Sequence, residues 1–220
     1  MFRCEFCGQV YQRETAFIKH TCEPMERSRL FDTTIGQQAF LLYQKWWNMR
    51  KRIPPGADKF KESVHFRNMI EFAEFVRRTK LNTEVYLAMV IRFDLSPEHW
   101  LRDDVYTRYL EYIDKTVPGV DQIKMCVDYV LKLADAIECD TSEVFDLLEP
   151  PEVMQLVRDR KFSPWLLLHS KKFKLWLIKQ DNDTQLRLQD LIRPVYWKLR
   201  FDKEPEVVQH AKAVAKALGI

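Results

Sequence analysis

The sequence predicts an all-α protein, a multi-helix, bundle-like body preceded by a small N-terminal module of different character. Three observations carry this. Apolar residues recur every three to four positions through most of the chain after residue 34, the spacing that gathers them on one face of a helix. Proline, glycine and capping residues interrupt the pattern at intervals suited to helices of ordinary length. Sustained strand alternation is absent, and five glycines in 220 residues leave few positions for tight hairpin turns or glycine-rich phosphate loops.

The elements follow in order. Glu23-Pro24-Met25-Glu26-Arg27 reads as a short linker. Asp32 and Thr34 then offer N-cap chemistry for a helix over about 35–52, with Ile35, Ala39, Leu42, Trp46 and Met49 on its apolar face and Pro54-Pro55-Gly56 as its stop. A second helix, over 58–78, carries Phe60, Val64, Phe72 and Phe75 on one side and Phe66 and Ile70 on another, the pattern of a sandwiched helix. Asn82 caps a third, to about 93. Ser96-Pro97 opens a turn, and Asp104 starts a helix to 117 that Pro118-Gly119 breaks. The helix over 121–138 aligns Ile123, Cys126, Val130, Leu133 and Ile137, which makes Cys126 a buried structural thiol. Short helices over 141–148 and 151–160 follow. Ser163-Pro164 opens a segment to 179, Asp183 one to 193, and Pro205 and Gly219 bracket the last, with Val207, Ala211, Val214 and Leu218 on its buried stripe.

Length and charge set the expected organisation. At roughly 100 to 200 residues per domain, the chain suits a module over 1–26 and a body over 27–220, with a soft division near 149–151. The charge profile gives that division some substance. Residues 1–80 carry 15 Lys and Arg against 9 Asp and Glu, residues 81–150 carry 6 against 15, and residues 151–220 carry 14 against 8. A basic surface attracts phosphate backbones, whereas an acidic one repels them and more often meets protein. The part over 27–149 is therefore acidic-centred and the part over 150–220 basic and aromatic-rich.

The cysteines are the most informative residues. Three of the five lie in the first 22 positions, as Cys4, Cys7, His20 and Cys22, or Cys-x2-Cys-x12-His-x1-Cys. Zinc takes four tetrahedral thiolate or imidazole ligands, and a two-residue gap lets one tight turn present two sulfurs to one ion. Phe2, Tyr11 and Phe17 make a miniature core too small to hold the segment without metal. The stretch Phe2-x-Cys4-x2-Cys7-x3-Tyr11-x5-Phe17-x2-His20 resembles the two-Cys, two-His zinc finger in ligand and hydrophobic spacing. It departs from the family at its end, where only Thr21 separates His20 from Cys22, so the finger helix must stop near His20. The resemblance implies that Arg13, Ala16 and Lys19 occupy base-reading positions, Arg13 and Lys19 being suited to guanine or phosphate. Lone fingers also bind RNA or protein, or staple a terminus.

Outside the module, Lys45, Arg50, Lys51 and Arg52 gather at the end of the first long helix, where cations also answer the helix dipole. Lys171, Lys172, Lys174, Lys198 and Arg200 interleave with Phe162, Trp165, Phe173, Trp176, Tyr196, Trp197 and Phe201. That alternation suits a groove that neutralises phosphates and stacks bases, or else a packed core with a basic surface.

No nucleophile elbow, phosphate loop or second metal motif is present in the sequence and no apolar run approaches about 18 residues, so no enzyme, no small-molecule substrate and no membrane partner are expected, a metal-dependent nuclease assembled from scattered carboxylates being the residual enzymatic alternative. The expectation is a zinc-containing nucleic-acid-binding accessory protein, for DNA more than RNA, of replication or transcription and in the style of a viral or phage factor. Its acidic stretch over 81–150 would dock a protein partner. The alternative is a protein adaptor whose zinc only staples the N-terminus. Cysteine usage and the absence of a secretory segment suit a reducing compartment, host cytoplasm or nucleus.

Overall fold

A computed structural model describes residues 1–220 as fifteen α-helices and one two-stranded antiparallel sheet, the all-α class that the periodicity predicts. In the sheet β1 (Phe2–Arg3) pairs with β2 (Val10–Tyr11), Phe2 opposite Tyr11. The helices are α1 (Glu14–Ile18), α2 (Glu23–Phe31), α3 (Thr34–Met49), α4 (Ala57–Glu62), α5 (Phe66–Thr79), α6 (Thr83–Arg92), α7 (Asp103–Thr116) and α8 (Gly119–Ala136). After them come α9 (Val144–Leu147), α10 (Pro150–Arg158), α11 (Pro164–Leu167), α12 (Lys171–Ile178), α13 (Asn182–Ile192), α14 (Pro194–Lys203) and α15 (Pro205–Ala217). No helix is long and apolar enough to cross a membrane. The chain divides into two compact units, Met1–Tyr109 and Leu110–Ile220, the division falling inside α7; Pro150 and Pro151, where the charge changes sign, open α10 within the second unit.

In the first unit α3 lies along α5, and Phe60, Phe66, Phe72, Tyr86 and Trp100 are completely buried. Buried Tyr and Trp rings usually find a hydrogen-bond partner for their polar tips. The Trp100 Nε1–H donates to the Leu95 carbonyl at 2.9 Å, and the Tyr86 hydroxyl donates to the Trp100 carbonyl. The α2–α3 corner is so tight that a Cβ on Gly36 would stand 2.2 Å from the Leu30 carbonyl oxygen and 2.6 Å from the Phe31 Cα. Arg27 ties α2 to the turn between α4 and α5: its guanidinium donates to the Lys61 and Ser63 carbonyls at 2.8 and 3.0 Å, pairs with Glu23 and lies over the Phe66 ring.

The second unit buries Phe162, Trp165, Phe173 and Trp197. Trp165 and Val207 crowd α8 closely, and a Cβ on Gly119 would meet them at 2.8 and 2.7 Å. Asp114 and Arg160 form a two-pronged buried pair, Nη2 to Oδ2 at 2.8 Å and Nε to Oδ1 at 2.9 Å. Nearby the Gln122 side-chain amide donates to the Ile113 and Val117 carbonyls and so satisfies the end of α7. Cys126 is buried as expected, and burial pushes its thiol up to about 12.

Several boundaries differ from the sequence reading. The supposed linker over 23–27 is the first turn of α2, because proline is tolerated there and Glu23 and Glu26 complement the helix dipole. The expected helix over 58–78 is two, α4 and α5. Ser63 takes an extended backbone and its Oγ accepts the His65 N–H at 3.1 Å, a local bond that competes with the helical ladder, and Val64 is left 83% exposed instead of joining a buried stripe. The segment over 163–179 breaks in the same way at the buried Ser170, whose Oγ accepts the Phe173 N–H and caps α12. Helix α14 was not foreseen; Arg193, left-handed at φ 53°, ends α13, and Pro194 starts α14 at once. Thr33 caps α3 in place of Asp32 or Thr34, and Asp181 caps α13 in place of Asp183. Asn82, Ser163, Pro205 and Gly219 (φ 70°) act where they were expected.

Candidate metal centre

The N-terminal module is a turn, a short helix and a reversal that together converge four side chains. After β1 the Cys4 N–H donates to the Gln9 carbonyl at 2.9 Å and the Gly8 N–H to the Cys4 carbonyl at 2.8 Å. This closed turn has Gly8 at φ 72°, a conformation favourable to glycine, and it presents Cys4 and Cys7 from one side. Beyond β2, α1 runs only to Ile18, and the His20 N–H makes a final bond to the Phe17 carbonyl at 3.0 Å. The helix therefore stops in time for the chain to reverse, as the single residue between His20 and Cys22 required. Cys22 is extended (φ −140°, ψ 154°) and stands as the N-cap residue of α2.

The result brings the four expected ligands together. The ligand atoms of Cys4, Cys7, His20 and Cys22 all lie within 4.8 Å of one another. Cys4 Sγ is 3.9 Å from Cys22 Sγ, and Cys7 Sγ is 3.3 Å from His20 Nε2. Metal–sulfur bonds of about 2.3 Å directed tetrahedrally put neighbouring ligands about 3.8 Å apart, so the set fits one metal ion. The thiols are not equivalent. The Cys7 backbone N–H at its sulfur lowers Cys4 to about 7 against the opposing effect of desolvation, whereas burial raises Cys22.

The rings around the ligands are packed but not sealed. Phe17 lies 5.8 Å from Phe2 and 6.1 Å from Tyr11, ring centre to ring centre, and none of the three is buried. Tyr11 also touches His20, with its hydroxyl oxygen 2.6 Å from Nδ1. Sequence reasoning placed Tyr11 in the miniature core and missed this contact; the hydroxyl that distinguishes it from phenylalanine was the available signal.

The expected nucleic-acid contacts fall into two groups. Arg13, the N-cap residue of α1, and Lys19, just past its end, are exposed, as are Arg50, Lys51 and Arg52 after α3; none of the five has a carboxylate partner. Arg50 lies over the Trp46 ring at 5.2 Å, Arg52 over Trp47 at 5.9 Å, and Lys51 is left-handed at φ 55°. Lys45, by contrast, pairs with Glu84 at 2.9 Å. In the second unit Lys171, Lys174 and Lys198 are exposed, and Lys172 pairs with Asp146 at 3.3 Å. Arg200 is held by Glu204 at 3.1 Å and the Val117 carbonyl at 3.3 Å, over the rings of Trp165 and Trp197.

The aromatics that interleave with these cations in sequence do not line a groove. Phe162, Trp165, Phe173, Trp176 and Trp197 are buried, Phe201 is half-buried, and Tyr196 is the partly exposed ring of the set. The five buried rings are packed into the core and have no face free to stack a base, which leaves Tyr196 as the ring of the set most open to solvent. No protein-family model matches the chain, and neither does any curated protein or any solved structure.

Proposed function

We propose that the chain is a non-enzymatic, zinc-containing nucleic-acid-binding protein. Three cysteine sulfurs and one imidazole within 4.8 Å of one another form a donor set that favours zinc over the oxygen-seeking cations. When bound, zinc supplies the crosslink that three half-exposed rings do not. Cys4, Cys7, His20 and Cys22 hold it, and the ordered module then displays Arg13 and Lys19.

One observation carries the nucleic-acid reading: Arg13, Lys19, Arg50, Lys51 and Arg52 are exposed cations of the first unit without carboxylate partners. Other cations are already neutralised within the fold, Lys45 by Glu84 in the same unit and Lys172 and Arg160 by Asp146 and Asp114 in the second. At five residues, α1 is about 7.5 Å long, which suits contact with phosphates better than a recognition helix lying in the major groove. The resemblance to a finger favours DNA over RNA.

Fluorescence anisotropy with labelled single-stranded DNA, duplex DNA and RNA tests this. Five phosphate contacts on duplex DNA weaken binding roughly 500-fold between 50 and 200 mM salt, and replacement of Arg50, Lys51 and Arg52 by glutamine flattens that dependence. Affinity that ignores salt, or no binding to any of the three, contradicts the proposal.

One observation favours the adaptor reading. Cys22 is at once a ligand and the N-cap residue of α2, and Arg27 fastens α2 to the α4–α5 turn, so a metal at this centre also anchors the N-terminus to the helices of the first unit. In that case the acidic stretch over 81–150 supplies the protein contact, and the anisotropy traces are flat for every nucleic acid.

A further inference from the structure

We infer that Tyr11 is the outer partner of the metal centre: its hydroxyl oxygen accepts the Nδ1–H of His20 and so fixes the tautomer that leaves Nε2 to the metal. The inference rests on the zinc reading above and adds to it a residue that the ligand pattern does not contain.

The geometry separates the two ring nitrogens. Nε2 faces the sulfurs, 3.3 Å from Cys7 Sγ, while Nδ1 faces away from them and lies 2.6 Å from the Tyr11 oxygen. A neutral imidazole carries one proton, and whichever nitrogen holds it is closed to a metal. A phenol oxygen at hydrogen-bond distance from Nδ1 stabilises the tautomer protonated there. It also resists rotation of the ring about its bond to the chain, which would otherwise swing Nε2 away from the thiols. Ligating histidines commonly donate their second N–H to an oxygen that orients them, and loss of that oxygen weakens metal binding about 10- to 100-fold.

The fold explains how Tyr11 is held at this task. Its backbone is in β2, paired with Phe2, and its ring packs on Phe17. The same ring meets the imidazole at 4.9 Å between centres, tilted by 41°. The side chain thus has two roles that one substitution separates. Tyr11→Phe keeps the ring in the miniature core and removes only the oxygen.

The experiment uses the full chain. Zinc affinity is measured by competition with a chromophoric chelator, and cobalt is titrated in parallel so that its visible bands report the ligand field. Tyr11→Phe is expected to bind zinc about 10- to 100-fold more weakly than the unsubstituted chain while giving the same helical content once saturated. The comparison is repeated in a His20→Cys background, where a thiolate offers no N–H to the tyrosine; there Tyr11→Phe should leave affinity unchanged. Proton–nitrogen NMR of the zinc-loaded chain should find His20 protonated at Nδ1 and ligated through Nε2. Equal affinities of the Tyr11→Phe and unsubstituted chains, an equal loss in both backgrounds, or ligation through Nδ1 each overturn the role given to Tyr11 without touching the zinc reading. An unsubstituted chain that holds no zinc overturns that reading, and this inference with it.

Discussion

The first 22 residues and the two helical units solve the same problem by opposite means. Each helical unit encloses rings as large as Trp100 or Trp165 completely, with Phe60, Phe72, Phe162 and Phe173 beside them. Burial of each such side chain contributes about 1.5–3 kcal/mol. The N-terminal module buries one side chain, Cys4, and leaves Phe2, Tyr11 and Phe17 partly in water around a five-residue helix. What converges there is ligand atoms instead of apolar surface. Where the chain has enough apolar mass it holds itself, and where it does not it places its most specific chemistry.

The largest expected effect separates the two regions outright. Replacing Cys4 and Cys7 by serine removes half of the ligand set, so the module should lose its fold while the helical units keep theirs. Limited proteolysis then cuts within residues 1–22 and spares the rest. Simultaneous unfolding of all regions would show that the module and the helical units are not held by separate means.

Within the helical units the effects are those of packing and pairing. Asp114→Asn leaves Arg160 charged and unpaired in a site where both side chains are nearly buried, and it should destabilise the second unit by about 3–5 kcal/mol in chemical denaturation. An unchanged transition midpoint would show that water already reaches the pair. Gly36→Ala forces a methyl group against the backbone of Leu30 and Phe31 and should cost about 1–3 kcal/mol, whereas Gly56→Ala meets nothing within 4 Å and should cost only the few tenths to about 1 kcal/mol that alanine loses as the N-cap of α4. Equal behaviour of the two would contradict the close α2–α3 approach. Ser170→Ala removes the buried cap of α12 and should cost about 1 kcal/mol.

The smallest effect is one of pH. The Thr184 backbone N–H holds the Asp181 carboxyl below the ordinary carboxylate range. Its contribution is therefore complete above the pH at which the unfolded chain's aspartate ionises, and it is lost as pH falls through the lower value of the folded state. Asp181→Asn should flatten the acid limb of the stability curve slightly, and an unaltered limb would assign the cap no ionic component.

The comparison also explains what the sequence made readable. The ligands were legible because their spacing is local: two residues between Cys4 and Cys7, and one between His20 and Cys22, leave little freedom in how they face an ion. Helix identity was legible for the same reason, since the 3.6-residue period is a local property. The failures are contacts between distant positions. Lys45 and Glu84 are 39 residues apart, and Lys172 and Asp146 are 26 apart, so nothing near either lysine announced that it was already paired. The cation–aromatic alternation after residue 160 was ambiguous in sequence because a helix places its core rings and its surface lysines within a few residues of each other. The breaks at Ser63 and Ser170 escaped because serine's decisive bonds there are made to backbone N–H groups only two or three residues on, an arrangement that its identity permits but does not require. Tyr11 was assigned correctly to the miniature core, and its second contact needed the fold.

The most direct measurement is X-ray absorption at the zinc edge on the full chain after exhaustive dialysis. The expected result is one tightly held zinc per chain, with three sulfurs at about 2.3 Å and one nitrogen at about 2.0–2.1 Å. A chain that retains no metal, or a shell made of oxygen, would contradict it.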